Sequence, residues 1–211
     1  MNGSSLSGTA RAPRVLPVIV LLPLVLCGCA VGPQNVLVSL PPYESQLAAR
    51  ASAPTPRAAV SIEPVRDARR DATGALIGER TALNVSMGQI EMSPIPVEMI
   101  RQLLRAELTM LGYRIVSAEE QFSIGAQIRK FEVLTPSTAI YWDMNGVIEF
   151  EVIITARDGK KQSMRYEASC TDRTYAYPSE ELITKVVATC LANVGAKVRG
   201  DPALVRALDV Q

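Results

Sequence analysis

The stretch 139–156 reads "AIYWDMNGVIEFEVIITA", and its alternation constrains the fold more than any other feature of the chain. Ile140, Trp142, Met144, Ile148, Phe150, Val152 and Ile154 fall on one side of an extended chain. Asp143, Asn145, Glu149, Glu151 and Thr155 fall on the other. Such a strand belongs to an antiparallel sheet with one buried face and one wet face. Arg157-Asp158-Gly159 supplies the turn. A two-residue loop at Asp158-Gly159 would set Val152 opposite Arg165 and mix the faces. A three-residue loop pairs Val152 with Met164, Phe150 with Tyr166 and Ile148 with Ala168, which keeps the apolar face apolar. The predicted connection is a type I turn with Gly159 left-handed and a G1 bulge. The same register sets Glu151 opposite Arg165, an ion pair, and Glu149 opposite Glu167, a repulsion.

The remaining elements follow from shorter patterns. Residues 58–65 ("AAVSIEPV") alternate as a strand, 66–78 read as a charged loop or hairpin, and 75–87 as a further strand. Residues 93–113 carry Val97, Ile100, Leu103, Leu104, Leu108 and Leu111 at helical spacing. Ser93 suits the N-cap, Pro94 the first helical position, and Gly112 the stop. Residues 113–116 and 122–131 read as strands. Residues 179–198 form the second main helix, with Ser179 as cap and Ile183, Val187, Cys190, Leu191, Val194 and Val198 as its apolar stripe. A short helix starts at Asp201-Pro202. The predicted fold is α+β: a largely antiparallel sheet with two main helices packed on one face.

The N-terminus gives an address. Residues 1–14 carry only positive charge, and Val15–Leu26 is an apolar run too short to span a bilayer core of about 30 Å. It fits the apolar region of a signal peptide. The run closes in Leu26-Cys27-Gly28-Cys29, which resembles the bacterial lipobox. That resemblance implies cleavage before Cys29, acylation of Cys29 (a palmitate-type anchor) and loss of Cys27 with the signal. Cys27 departs from the usual alanine or serine but is still small. No Asp follows Cys29, which resembles the default sorting to the outer membrane. The domain plan is then a signal peptide at 1–28, a Pro- and Ala-rich flexible tether at 29–57, a folded domain at 58–199 and a C-terminal tail at 200–211. Within the tether Val36–Leu40 still suits a short strand.

Composition removes several function classes. The 22 Lys and Arg balance 21 Asp and Glu, which argues against a nucleic-acid binder. Histidine is absent, so Ser-His-Asp and Cys-His nucleophiles and His-containing zinc sites are excluded. No phosphate-cradling glycine pattern is present. Neither a catalytic residue, a metal ligand set nor a cofactor is predicted. Of the cysteines left after processing, Cys170 and Cys190 face each other across a predicted helix–sheet contact. A disulfide between them is one reading and two separate thiols the other. Asp67, Arg69, Arg70 and Asp71 suit either an anion or partner site or a salt-bridged, solvated turn. Trp142 is expected in the core. Tyr141, Tyr175 and Tyr177 could form an exposed aromatic patch for a partner or glycan. Glu149 and Glu151 are the one carboxylate pair a glycan-cleaving enzyme could use. They share a solvated face rather than flanking a cleft.

Val65-Arg66-Asp67-Ala68-Arg69, Ile77-Gly78, Gly112-Tyr113 at a helix end, Asp158-Gly159 and "RYEAS" at 165–169 occur in that order behind the lipobox. In this order the chain resembles the YajG-like family of bacterial lipoproteins over residues 57–198. The resemblance implies an outer-membrane lipoprotein of poorly defined role, facing the periplasm and without catalytic residues; the first reading of the chain is a non-enzymatic lipoprotein whose domain binds another envelope component. A looser likeness to the auxiliary lipoproteins of ABC-type transport systems implies a subunit role instead.

Overall fold

The computed structural model describes residues 34–43, 57–70, 74–83, 85–117 and 120–209. The signal peptide, Cys27, Cys29, Asp71 and most of the tether lie outside them. The strands are β1 (Val36–Ser39), β2 (Ala59–Ile62), β3 (Arg66–Asp67), β4 (Leu76–Ala82), β5 (Val85–Ser93), β6 (Arg114–Ile115), β7 (Phe122–Thr135), β8 (Trp142–Ala156) and β9 (Lys161–Thr174). The helices are α1 (Pro96–Met110), α2 (Glu180–Arg199) and α3 (Pro202–Asp209). The strands form one sheet, ordered β1-β5-β4-β7-β2-β6, with β3 also on β7 and β8 between β7 and β9.

The β8–β9 hairpin has the register that the turn demands. Val152 faces Met164, Phe150 faces Tyr166 and Ile148 faces Ala168. Gly159 has φ +84°, its N–H donates to the Ala156 carbonyl at 2.8 Å, and the Ala156 N–H donates to Lys160 at 2.9 Å. These two bonds are the type I turn and the G1 bulge. The repulsion between Glu149 and Glu167 is avoided because Arg165 reaches diagonally to Glu149 at 2.9 Å. Glu151 pairs instead with Arg129 on β7 at 2.8 Å.

The architecture is α+β as expected, and the sheet is largely antiparallel through β4–β5, β7–β8 and β8–β9, with short parallel pairings that make it mixed. β1 runs parallel to β5, β2 to β6 and β7, and β3 and β4 to β7. These parallel pairs are short and join segments distant in sequence, so no local turn announces them. The segment 75–87 is a hairpin, not one strand: β4 turns into β5 around Leu83, a non-glycine residue at φ +49°. α1 starts at Pro96 with Ile95 at the N-cap, not at Ser93-Pro94. Ser93 is already committed to β5, opposite Ser39. At the other end Gly112 donates to Thr109 and Tyr113 to Leu108, a Schellman stop.

All the described residues belong to one unit, Gly32–Gln211. Residues 34–43, read from sequence as tether, are part of it: β1 pairs with β5, and Val36, Val38, Leu40 and Tyr43 are buried. The supposed tail is likewise packed, with Leu204, Ala207 and Leu208 buried on α3. α1 buries Met99, Ile100, Leu103, Leu104 and Leu108 completely, about 1.5–3 kcal/mol for each side chain.

A polar clasp sits inside this core. Glu107 on α1 is fully buried, accepts from the Tyr43 hydroxyl at 2.8 Å and pairs with Arg199 of α2 at 2.8 Å. Burial pushes the Glu107 carboxyl up, and the bonds from Tyr43 and Arg199 pull it back. A side chain on Gly195 would put its Cβ 2.2 Å from the Tyr43 hydroxyl oxygen and 2.5 Å from Glu107 Oε1. Gly195→Ala is therefore expected to break the clasp and cost about 2–4 kcal/mol in denaturant unfolding. Gly159→Ala, with open space around its Cβ, is expected to cost about 1–2 kcal/mol from backbone strain alone. Equal costs would contradict the clasp.

Candidate functional site

Two surface features gather the residues singled out by sequence. The first is the end of the sheet where β8 begins and β9 ends. The Thr138 hydroxyl accepts from the Ile140 N–H at 3.2 Å and the Tyr141 N–H at 3.1 Å, which bends the chain before β8. Ile140, expected on the buried face, is turned outward by this bend and is exposed. Trp142 is half-buried at the sheet end rather than in the core, and its indole N–H donates to the Thr81 carbonyl at 3.1 Å. Pairing of Trp142 with Thr174 brings Tyr141 and Tyr175 edge to face, with centroids 6.4 Å apart. Arg173 stacks 3.8 Å over the Tyr141 ring while its guanidinium holds Asp143 at 2.7 Å. Tyr177 does not join this surface pair. Its ring packs against Trp142 at 6.1 Å and lies 4.7 Å under Arg80.

Arg80 was missed by sequence reasoning, because a lone arginine in an alternating stretch reads as solvated. It is buried, donates to the Pro178 carbonyl at 3.3 Å and binds the Gln34 carbonyl. Its Nε and the Tyr177 hydroxyl are buried without hydrogen-bond partners among the described residues. Gly88 completes the seat of Gln34, since a Cβ there would lie 2.1 Å from the Gln34 carbonyl oxygen. The Gln34 N–H donates to Met87 at 2.9 Å, and the Gln89 N–H donates to the Asn35 side chain at 3.1 Å. The chain therefore enters the sheet at a fixed point beside the aromatic end.

The second feature is a cleft of about 380 Å³ on the charged face of the sheet, lined by Arg69, Arg70, Arg129, Lys130, Glu149 and Arg165 among others. Asp67 and Arg69 are structural. Arg69 forks onto both Asp67 oxygens at 2.8 and 2.7 Å, and donates to the carbonyls of Leu76 at 2.6 Å and Phe131 at 3.3 Å. The Arg69 guanidinium holds the Asp67 carboxyl below its ordinary range. Glu149, expected on a solvated face, is buried beneath Arg165. Arg70 and Lys130 are exposed and have no ion-pair partner among the described residues. Sequence put Arg70 in a charged turn, but only the β3–β7 pairing brings it to Lys130.

Of the two readings for the cysteine pair, the structure has the separate thiols. Cys170 and Cys190 are free thiols. Cys190 is buried and donates to the Gly146 carbonyl at 3.4 Å, and Asn193 donates to Cys170 at 3.4 Å. Burial first, and Cys170 beside it second, push the Cys190 thiol up. Among the described residues no cluster of three or more His, Cys, Asp or Glu could hold a metal ion. No helix among them is long and apolar enough to cross a membrane.

A family model described as "uncharacterized lipoprotein" matches residues 48–209. A solved protein from Xanthomonas campestris, described by the family model DUF330, shares the fold. It has a TM-score of 0.55 over 82% of this chain and 95% of its own, at 12% identity. A minor lipoprotein from Acinetobacter baumannii gives a TM-score of 0.43 at 8% identity, covering 70% of this chain and 94% of its own. A lipoprotein from Neisseria meningitidis gives 0.35 at 12% identity, covering 65% and 99%. No curated protein matches the sequence.

The two neighbouring arginines are expected to behave differently. Arg69→Met strands the Asp67 carboxylate and the carbonyls of Gly74, Leu76 and Phe131, and should cost about 2–4 kcal/mol in unfolding. Arg70→Met should stay within about 0.5 kcal/mol of the parent. A large loss on Arg70→Met would show that Arg70 is structural as well.

Proposed function

We propose, because the chain belongs to this family of uncharacterized lipoproteins, that it is a non-enzymatic binding protein of the bacterial envelope. Acyl chains on Cys29 would hold it at the outer membrane, facing the periplasm, as the lipobox and the YajG-like resemblance imply. Acyl chains of this kind give stable anchoring when two or more act together. The observation that carries the binding role is the pair Arg70 and Lys130. They stand exposed over a cleft whose other cations, Arg69, Arg129 and Arg165, are already neutralised by Asp67, Glu151 and Glu149. Two cations without an ion-pair partner among the described residues, against the single carboxylate Glu132 in the same lining, suit an acidic group on a protein partner. The non-enzymatic reading is supported by the carboxylates. Glu149 and Glu151 lie two residues apart on one strand, and each is held by an arginine, so neither faces the other across a cleft.

Two measurements test this. Cys29→Ala is expected to lose palmitate labelling and to leave the membrane fraction; retention of both contradicts the anchor. A photo-crosslinking residue at position 132, in the cleft lining but outside the cation pair, is expected to give one discrete membrane-fraction adduct that Lys130→Glu abolishes. An adduct indifferent to Lys130→Glu, or none, contradicts the cleft as the binding site.

A further inference from the structure

The loops at the end of the sheet around Gln34 carry no charge, and the one cation that touches Gln34, Arg80, is buried. Three loops meet there, 81–86 (Thr-Ala-Leu-Asn-Val-Ser), 136–142 (Pro-Ser-Thr-Ala-Ile-Tyr-Trp) and 174–179 (Thr-Tyr-Ala-Tyr-Pro-Ser). None contains an Asp, Glu, Lys or Arg, in a chain that is 20% charged. They are tied to one another: the Leu83 N–H donates to the Ser137 hydroxyl at 2.7 Å, Trp142 bonds Thr81, and Tyr141 touches Tyr175. Their apolar side chains point outward, with Leu83 71%, Val85 61%, Ile140 70% and Tyr175 73% exposed. The far end of the β8–β9 hairpin is the opposite in kind, Arg157-Asp158-Gly159-Lys160-Lys161. Clustered exposed apolar residues of this sort mark an interaction surface.

Covalent geometry decides what covers it. Gln34 is bonded to Met87, two residues along β5 from Val85, so it lies about 7 Å from the rim. Five peptide links separate Gln34 from Cys29, a reach of at most about 18 Å. The charged turn at the other end of β8 is roughly 45 Å away. A lipid-anchored Cys29 therefore limits the uncharged rim to within about 25 Å of the bilayer surface, while the charged turn can lie tens of Å farther out.

We propose that the rim formed by Leu83, Val85, Ile140, Tyr141 and Tyr175 is seated in the interfacial layer of the membrane leaflet that carries the Cys29 acyl chains. The proposal rests on the anchoring reading above. Aromatic rings with a polar tip favour this layer, and leucine, isoleucine and valine enter just beyond it. The rim carries no cation of its own. Arg173 is paired with Asp143 at its margin, and Glu180 and Glu181 follow in the first turn of α2. The surface it fits is zwitterionic lipid rather than an anionic patch.

The test uses the full chain as processed in the cell, reconstituted into vesicles of phosphatidylethanolamine and phosphatidylcholine, with or without dibrominated phosphatidylcholine. Ile140→Trp and Lys160→Trp each add one indole at opposite ends, on exposed positions. Brominated lipid is expected to remove most of the fluorescence added at 140 and almost none of that added at 160. Equal quenching at both, or none at 140 in protein that floats with the vesicles, overturns the seated rim while leaving the anchor intact. Failure to float with the vesicles at all overturns the anchor itself, and the rim with it.

Discussion

The segment Gln34–Tyr43 is fastened at both ends, and the rest of the account depends on that. At one end Gly88 lets the Gln34 carbonyl approach and Arg80 binds it. At the other the Tyr43 hydroxyl reaches the fully buried Glu107, which Arg199 neutralises. Between them β1 adds an outer strand to β5. A buried carboxylate without partners would cost several kcal/mol, so Glu107 strongly specifies where Tyr43, α1 and α2 meet. The same fastening places Gln34 inside the fold, five residues after Cys29 in sequence. With the anchor proposed for Cys29, that short separation is what gives the domain a near end and a far end.

The sheet divides labour by face. Its apolar side, from Phe122 to Val133 on β7 and from Met144 to Ile154 on β8, is closed into one core with the helices. Its other side is laced by ion pairs, Arg129 with Glu151, Arg165 with Glu149 and Arg173 with Asp143. Such pairs add little stability where exposed. They do fix which charges remain unmatched among the described residues, and at the cleft those are Arg70, Lys130 and Glu132. The charged face and the uncharged rim are thus separate surfaces, one suited to an acidic partner and one to lipid.

Local patterns were legible in the sequence wherever a turn or cap fixed the geometry. The Arg157-Asp158-Gly159 loop set the pairing of Phe150 with Tyr166, and Gly112 set the end of α1. The stripe from Ile183 to Val198 was likewise readable, because helical spacing and burial agreed. What escaped were contacts between distant segments. β1 was legible as a short strand, but its membership of the core was not, because four residues among prolines carry little periodic signal and the partner β5 lies 54 residues away in sequence at Val36 and Ile90. Ser93 and Pro94 looked like a helix start because the strand claiming Ser93 was hidden in the same way. Ile140 and Trp142 fit the alternation but lie where the strand gives way to a bend, so they face outward or sit half-buried. The cleft was half visible: Arg69 and Arg70 stood out, while Lys130 and Arg165 reach them only through the β3–β7–β8–β9 pairing. The charge-free loops at 81–86, 136–142 and 174–179 were readable as composition but could not be seen to converge.

The proposed anchor puts Gln34, the first described residue of the domain, five residues after a lipid-bearing Cys29. Mass spectrometry of the tryptic peptide 29–50 from membrane-purified protein decides it. A peptide that starts at Cys29 and carries acyl chains on it is expected. An unmodified Cys29, or a peptide that still contains residues upstream of it, would rule the anchor out.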